Sequence, residues 1–160
     1  MGSNFKTKKS IVMKKFKTVL TAIVMLFAAS AFATGGENVS PKVKAAFKND
    51  FSRATDVKWE KTSDFYFASF MLNQVRVDAA YNEDAELVGT SRNISSEQMP
   101  LSISLAIAEK YQGFQLSKNA IELTHEGQTR YYISVENSSQ VVKLKCFSNG
   151  DMEVEGRLKK

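Results

Sequence analysis

One order of patterns occurs twice along this chain and limits what it can fold into: a segment with apolar residues at helical spacing, then four short runs with strand spacing. Ser40-Pro41 supplies a capping hydroxyl followed by proline at the first helical position. Val43, Ala46, Phe47 and Phe51 then form one apolar stripe, with Lys42, Lys44, Lys48 and Asn49 elsewhere. Strand-like text follows at 56–60, 65–72, 75–81 and 86–93. A second helix is expected from Met99-Pro100 to Gln112, carrying Ile103, Ala106, Ile107, Tyr111 and Phe114, with Gly113 as its stop. Four more strands are expected at 120–125, 130–136, 141–147 and 152–158. The pattern reads as an α+β fold, a tandem repeat of one helix plus a four-stranded antiparallel meander, with the helices packed on one sheet face. Residues 41–160 form a single domain in this reading, with halves at about 41–94 and 95–160, and 34–40 as a flexible tail.

Turn chemistry sorts the side chains. Asn73-Gln74 reads as a two-residue hairpin turn, which pairs Leu72 with Val75 and therefore 70 with 77, 68 with 79 and 66 with 81. Tyr66, Ala68, Phe70, Leu72, Val75, Val77, Ala79 and Tyr81 then share the core face. A four-residue loop at 61–64 adds Val57 and Trp59. In the second half, Tyr131, Ile133, Val135, Val142, Leu144 and Cys146 point inward by the same parity. The opposite face carries Phe65, Phe67, Met71, Tyr132, Val141 and Phe147 among Lys58, Glu60, Arg76, Asp78, Lys143 and Lys145. Wet sheet faces are ordinarily polar, so aromatics there mark a contact surface or a covered one.

The first segment reads as an export signal. Met13-Lys-Lys-Phe-Lys17 is a positive region, Val19 to Ala29 an apolar run, and Ala31-Phe32-Ala33 places small residues for cleavage near Ala33. The signal thus covers 1–33, with Met13 as an alternative start, and the run is too short to span a bilayer. Of 22 Lys and Arg in the chain, six lie in 1–33 with no acid, which leaves 16 basic against 17 acidic groups beyond it. No nucleic-acid partner is expected from a remainder without clustered cations, nor a transmembrane segment after cleavage. The expected destination is the periplasm or the outside of the cell.

Candidate chemistry is sparse. One Cys and one His rule out an internal disulfide framework and most Cys/His metal cages. Cys146 reads as a small buried hydrophobe and His125 as a satisfied strand-end imidazole; a Cys–His nucleophilic pair is not expected. Asn82-x-Asp84-x-Glu86 begins like a calcium loop, but Leu87 stands where glycine is needed and Asn93 where the closing glutamate should be. No glycine-rich phosphate loop is present; the only glycine pair, Gly35-Gly36, lies in the tail after the expected cleavage point. The expectation is no catalytic residue, no metal, no cofactor and no enzyme activity.

Several segments together resemble a known family: Phe51-Ser-Arg-Ala-Thr-Asp-Val-Lys-Trp59, Phe65-Tyr-Phe-Ala-Ser-Phe70, Ala80-Tyr-Asn-Glu-Asp-Ala-Glu-Leu-Val-Gly89, Thr90-Ser-Arg-Asn-Ile94, Met99-Pro100 and Tyr111-Gln-Gly-Phe114. The chain, over about 40–160, is similar to PepSY-like, β-lactamase-inhibitor-like proteins exported by Bacteroidetes. It departs where such proteins have an Asp-x-x-Gly turn: the first half has Ala85, and the second keeps Asn149-Gly150. The resemblance implies a fold like β-lactamase inhibitor protein, whose concave sheet grips an enzyme. By that analogy the partner would be an envelope or secreted hydrolase or peptidase. The expected function is an exported module that binds or inhibits a protein through the outer sheet face, with Phe65, Phe67, Met71, Arg76, Tyr132 and Phe147 as candidate contacts. The alternative is a structural or stress-related envelope protein that self-associates.

Overall fold

The computed structural model describes residues 38–160; the expected export signal and cleavage point lie outside them. Helix α1 spans Pro41–Asp50 and begins where the sequence indicates, with the Ser40 hydroxyl accepting the Val43 amide at 3.2 Å. Strands β1 (Thr55–Lys61), β2 (Phe65–Leu72), β3 (Val75–Asn82) and β4 (Leu87–Ser95) follow. A short 3₁₀ turn, Ser96–Gln98, leads into α2 (Leu101–Lys110). Strands β5 (Gln115–Leu116), β6 (Asn119–His125), β7 (Gln128–Glu136), β8 (Gln140–Phe147) and β9 (Met152–Lys159) complete the chain.

All nine described strands join one antiparallel sheet in the order β1-β2-β3-β4-β6-β7-β8-β9, with β5 paired to β7. The seam between the two halves is the β4–β6 pairing, running from Gly89 opposite His125 to Ser95 opposite Asn119. Gly89 suits that seam because a Cβ there would come within 2.8 Å of the Thr124 carbonyl oxygen.

Helix α1 packs Val43 and Phe47 onto the inner face of β1–β3. Phe47 is the hub of this core, with Phe51, Trp59 and Phe70 rings at centroid distances of 5.4, 5.2 and 5.0 Å. Tilted and edge-to-face pairs of this kind contribute beyond their buried area. Helix α2 packs Ile103 and Ile107 onto Ala120, Tyr131, Ile133, Val135, Val142, Leu144 and Cys146 in a second core. Between the cores the inner face turns polar, where Arg92 grips Glu122 in a two-pronged ion pair at 2.7 and 3.3 Å.

The expected parity holds through both hairpins: Leu72 pairs with Val75, Phe70 with Val77 and Tyr66 with Tyr81, and Tyr131 faces Cys146. Four details differ from the sequence reading. Asp56 has φ of 53° and the β1–β2 register shifts between Thr55 and Lys58, a bulge that turns Val57 out to solvent. The core begins before the helix, since Val39 is buried in the α1 cluster and is no part of a loose tail. Helix α2 is shorter at both ends than expected. Pro100 precedes its first turn and Tyr111 caps its last, with Gly113 at φ of 78° just beyond. The two-residue strand β5 carries no periodic signal and was not expected.

Candidate functional site

Cross-strand pairing fixes which side chains share the outer face. One row runs Lys58, Ser69, Asp78, Ser91, Leu123, Arg130 and Phe147 across seven strands. A neighbouring row runs Glu60, Phe67, Ala80, Gly89, His125 and Gln128. A third carries Ile121, Tyr132, Lys145 and Glu153. Both described helices lie on the other side of the sheet.

The six candidate contacts all occupy this face, but they do not form one patch. Phe65 and Phe67 neighbour each other on β2, with ring centroids 6.3 Å apart. Tyr132 and Phe147 lie on β7 and β8. From β2 to β7 is four strand spacings, about 19 Å. Met71 and Arg76 face each other beside the Asn73-Gln74 turn, at the far end of the first hairpin from Phe65. Accessibility corrects one assignment outright. Phe67 is 9% exposed, so its ring is interior to the face, whereas Phe65, Met71, Tyr132 and Phe147 are half-buried and Arg76 is exposed.

The middle of the face is closed and polar. Ser69, Ser91 and His125 are buried there beside Ala80 and the fully buried Leu123. The Ser69 hydroxyl donates to Asp78 Oδ1. Burial pushes the Asp78 carboxyl above the usual carboxylate range, against the opposing pull of that bond and of Arg76. His125 Nδ1 sits 2.6 Å from the Val88 carbonyl oxygen, which fixes the ring. Among the described residues two side-chain atoms stand out: the Ser91 hydroxyl oxygen and Arg130 Nη1 are both buried and have no hydrogen-bond partner. Arg130 Nη2 donates to Gln128 at 2.8 Å. Lys145 is neutralised by Glu153 at 2.8 Å and lies 5.1 Å from the Phe147 ring centroid. Tyr132 beside them is pushed up to about 12, by burial first and then by Glu155 and Glu153, with Arg130 pulling the other way.

Sequence reasoning missed Ser91, Leu123 and Arg130. The same parity that placed Tyr132 outward places Arg130 outward too, but only the β4–β6 pairing brings Ser91 into its row. Cys146 and His125 lie on opposite faces of the sheet, so they cannot meet. Burial alone pushes the Cys146 thiol up to about 11, the reverse of an activated nucleophile. The Asn82 side chain accepts the Glu86 amide at 2.9 Å and donates to its carboxylate at 2.7 Å, so the calcium-like spacing serves a hairpin turn.

No family model and no curated protein matches the chain. Solved structures do. A DUF2874 family protein from Bacteroides uniformis superposes with a TM-score of 0.63 at 19% identity, covering 76% of this chain and 89% of that one. A BLIP-like protein from Bacteroides fragilis gives 0.63 at 21% identity, covering 79% and 89%. A protein from Bacteroides eggerthii described as periplasmic gives 0.63 at 19%, covering 76% and 88%. At these identities the likeness is one of fold: the chain is built like the BLIP-like and DUF2874 structures, an antiparallel sheet with helices on one side.

Proposed function

We propose that the protein is an exported, non-enzymatic binding module, PepSY-like and inhibitor-like in kind, that takes hold of a protein partner with the outer face of its sheet. The observation that carries this reading is the make-up of that face. Half-buried Phe65, Met71, Tyr132 and Phe147 belong to neither helix-covered core, and they stand around buried polar atoms that the protein leaves unpartnered. Aromatic residues and arginine over a closed centre are the composition of interface cores. The partner class in this reading, an envelope or secreted hydrolase or peptidase, rests on analogy with inhibitor-like proteins alone. The export signal, the neighbour described as periplasmic, and the lack of any described helix long and apolar enough to cross a membrane support a periplasmic or secreted location. A tandem origin is supported by matching turns: Asn82 N–H bonds Glu86 O in the first half, and Phe147 N–H bonds Asp151 O in the second.

The test is affinity capture from native envelope and culture medium, using the protein and its Phe65→Ser/Tyr132→Ser double variant. A partner retained by the former and lost by the latter, with both proteins folded at the temperature of capture, is the expected result. Equal retention by both would remove the outer face from the account.

A further inference from the structure

We propose that Arg130 is the anchor for a carboxylate side chain of the protein partner, an Asp or Glu presented between apolar residues. This deepens the reading above and rests on it. Arg130 projects from β7 on the outer face, directly opposite Leu123 on one neighbouring strand and Phe147 on the other. Its Nη2 satisfies itself on Gln128, its Nη1 is buried with no acceptor, and Arg130 has no ion pair among the described residues. Lys145, the next cation along, is already taken by Glu153.

Folded chains very seldom leave a buried charged donor unmade, because that N–H gives up water and gains nothing in exchange. A Met or Leu at this position would lie on Leu123 and Phe147 without that loss. The arginine makes sense when the missing acceptor arrives from outside. Of the acceptors a protein can offer, a carboxylate supplies both the opposite charge and two oxygens matched to the guanidinium fork. The apolar floor and the flanking Phe147 and Tyr132 exclude water from such a pair, as around the anchors of tight interfaces.

Ser91 extends the site. It lies beyond Leu123 in the same row, is 3% exposed, and its hydroxyl is the other unpartnered buried atom. It sits too deep to touch the partner and belongs to the floor beneath the incoming acid. Asp78 stands further along the row, three strand spacings or about 14 Å from Arg130, with Ser69 and Lys58 beyond it.

Two probes test the assignment: N-acetyl-Leu-Glu-Leu-amide and its Gln counterpart, titrated into the ¹⁵N-labelled protein. The Arg130 Nε–Hε and Ser91 amide signals are followed. The Glu peptide should shift both signals and bind roughly tenfold or more tightly than the Gln peptide. Arg130→Met should erase that difference with the melting temperature unchanged or raised, and Arg130→Lys should keep only part of it. Absence of any Arg130 shift overturns the proposal, and so does a lowered melting temperature for Arg130→Met, which would make the residue structural. Equal binding of the two peptides with shifts at Tyr132 and Phe147 also overturns it, yet leaves the outer face as a protein-binding surface. Loss of the broader reading would instead show as indifference of partner capture to Phe65 and Tyr132.

Discussion

The Tyr81 hydroxyl donates to Asp50 Oδ2 at 2.7 Å, fastening β3 to the last residue of α1. An acid at a helix C-terminus faces the negative end of the helix dipole, so Asp50 gains from a donor brought to it by the sheet. Burial holds the Tyr81 phenol well above its ordinary range, and the Asp50 bond and charge push the same way. Tyr81→Phe keeps the ring packed beside Phe47 and Trp59 and deletes only the hydroxyl. Its urea midpoint should fall by the equivalent of about 1–3 kcal/mol with an unchanged slope. An unaltered midpoint would show that water serves Asp50 as well.

Alkali should loosen the fold in a defined window. Cys146 has a folded pKa of about 11 against an ordinary 9.0, and Tyr132 about 12 against 10.0. Both are raised, so the stability they contribute is fully present below pH 9. It is lost as pH climbs through 9–11 for the thiol and 10–12 for the phenol. Melting temperature measured from pH 8 upward should be level to about 9 and then decline, and Cys146→Ala should flatten the first part of the decline. At pH 8 the native thiol should resist a disulfide reagent until denaturant is added.

The β3–β4 and β8–β9 turns share their hydrogen bonds but not their residues. Ala85 N–H bonds Asn82 O, and Gly150 N–H bonds Phe147 O. Ala85 holds φ of 63° where Gly150 holds 94°. Ala85→Gly should therefore stabilise the protein by about 1 kcal/mol, by relieving a left-handed alanine. Gly150→Ala should destabilise it by about 1–3 kcal/mol, since the new Cβ would also lie 3.0 Å from the Ser102 carbonyl oxygen. Thermal melts of the two single variants decide the signs.

Local text carried most of the fold. A capping serine before a proline located α1, and a two-residue turn at Asn73-Gln74 fixed the register of a whole hairpin, although both turn residues have positive φ and neither is glycine. What stayed hidden was non-local. Pairing β4 with β6 joins residues separated by α2, and no turn between them sets the register. The bulge at Asp56 breaks parity without any glycine to announce it. Only that pairing sets Ser91 against Leu123, and so into the row of Arg130. Sequence parity therefore sorted side chains between the two faces but did not show which residues of the outer face are accessible and which form its centre.

The difference between lining the face and filling it gives the last prediction. Phe65 and Tyr132 keep part of their surface in solvent, whereas Phe67 is 9% exposed and lies between Glu60 and Ala80. Truncating a ring that keeps part of its surface in solvent forfeits less burial than truncating an interior one, so Phe65→Ser and Tyr132→Ser should each destabilise by about 1–2 kcal/mol. Phe67→Ser removes an interior ring and leaves a hydroxyl in its space, for which about 3–5 kcal/mol is expected. Denaturant titration of the three variants separates them. If Phe65→Ser proved as damaging as Phe67→Ser, the half-buried ring would be part of the folded core, and no surface would remain there for a partner to take.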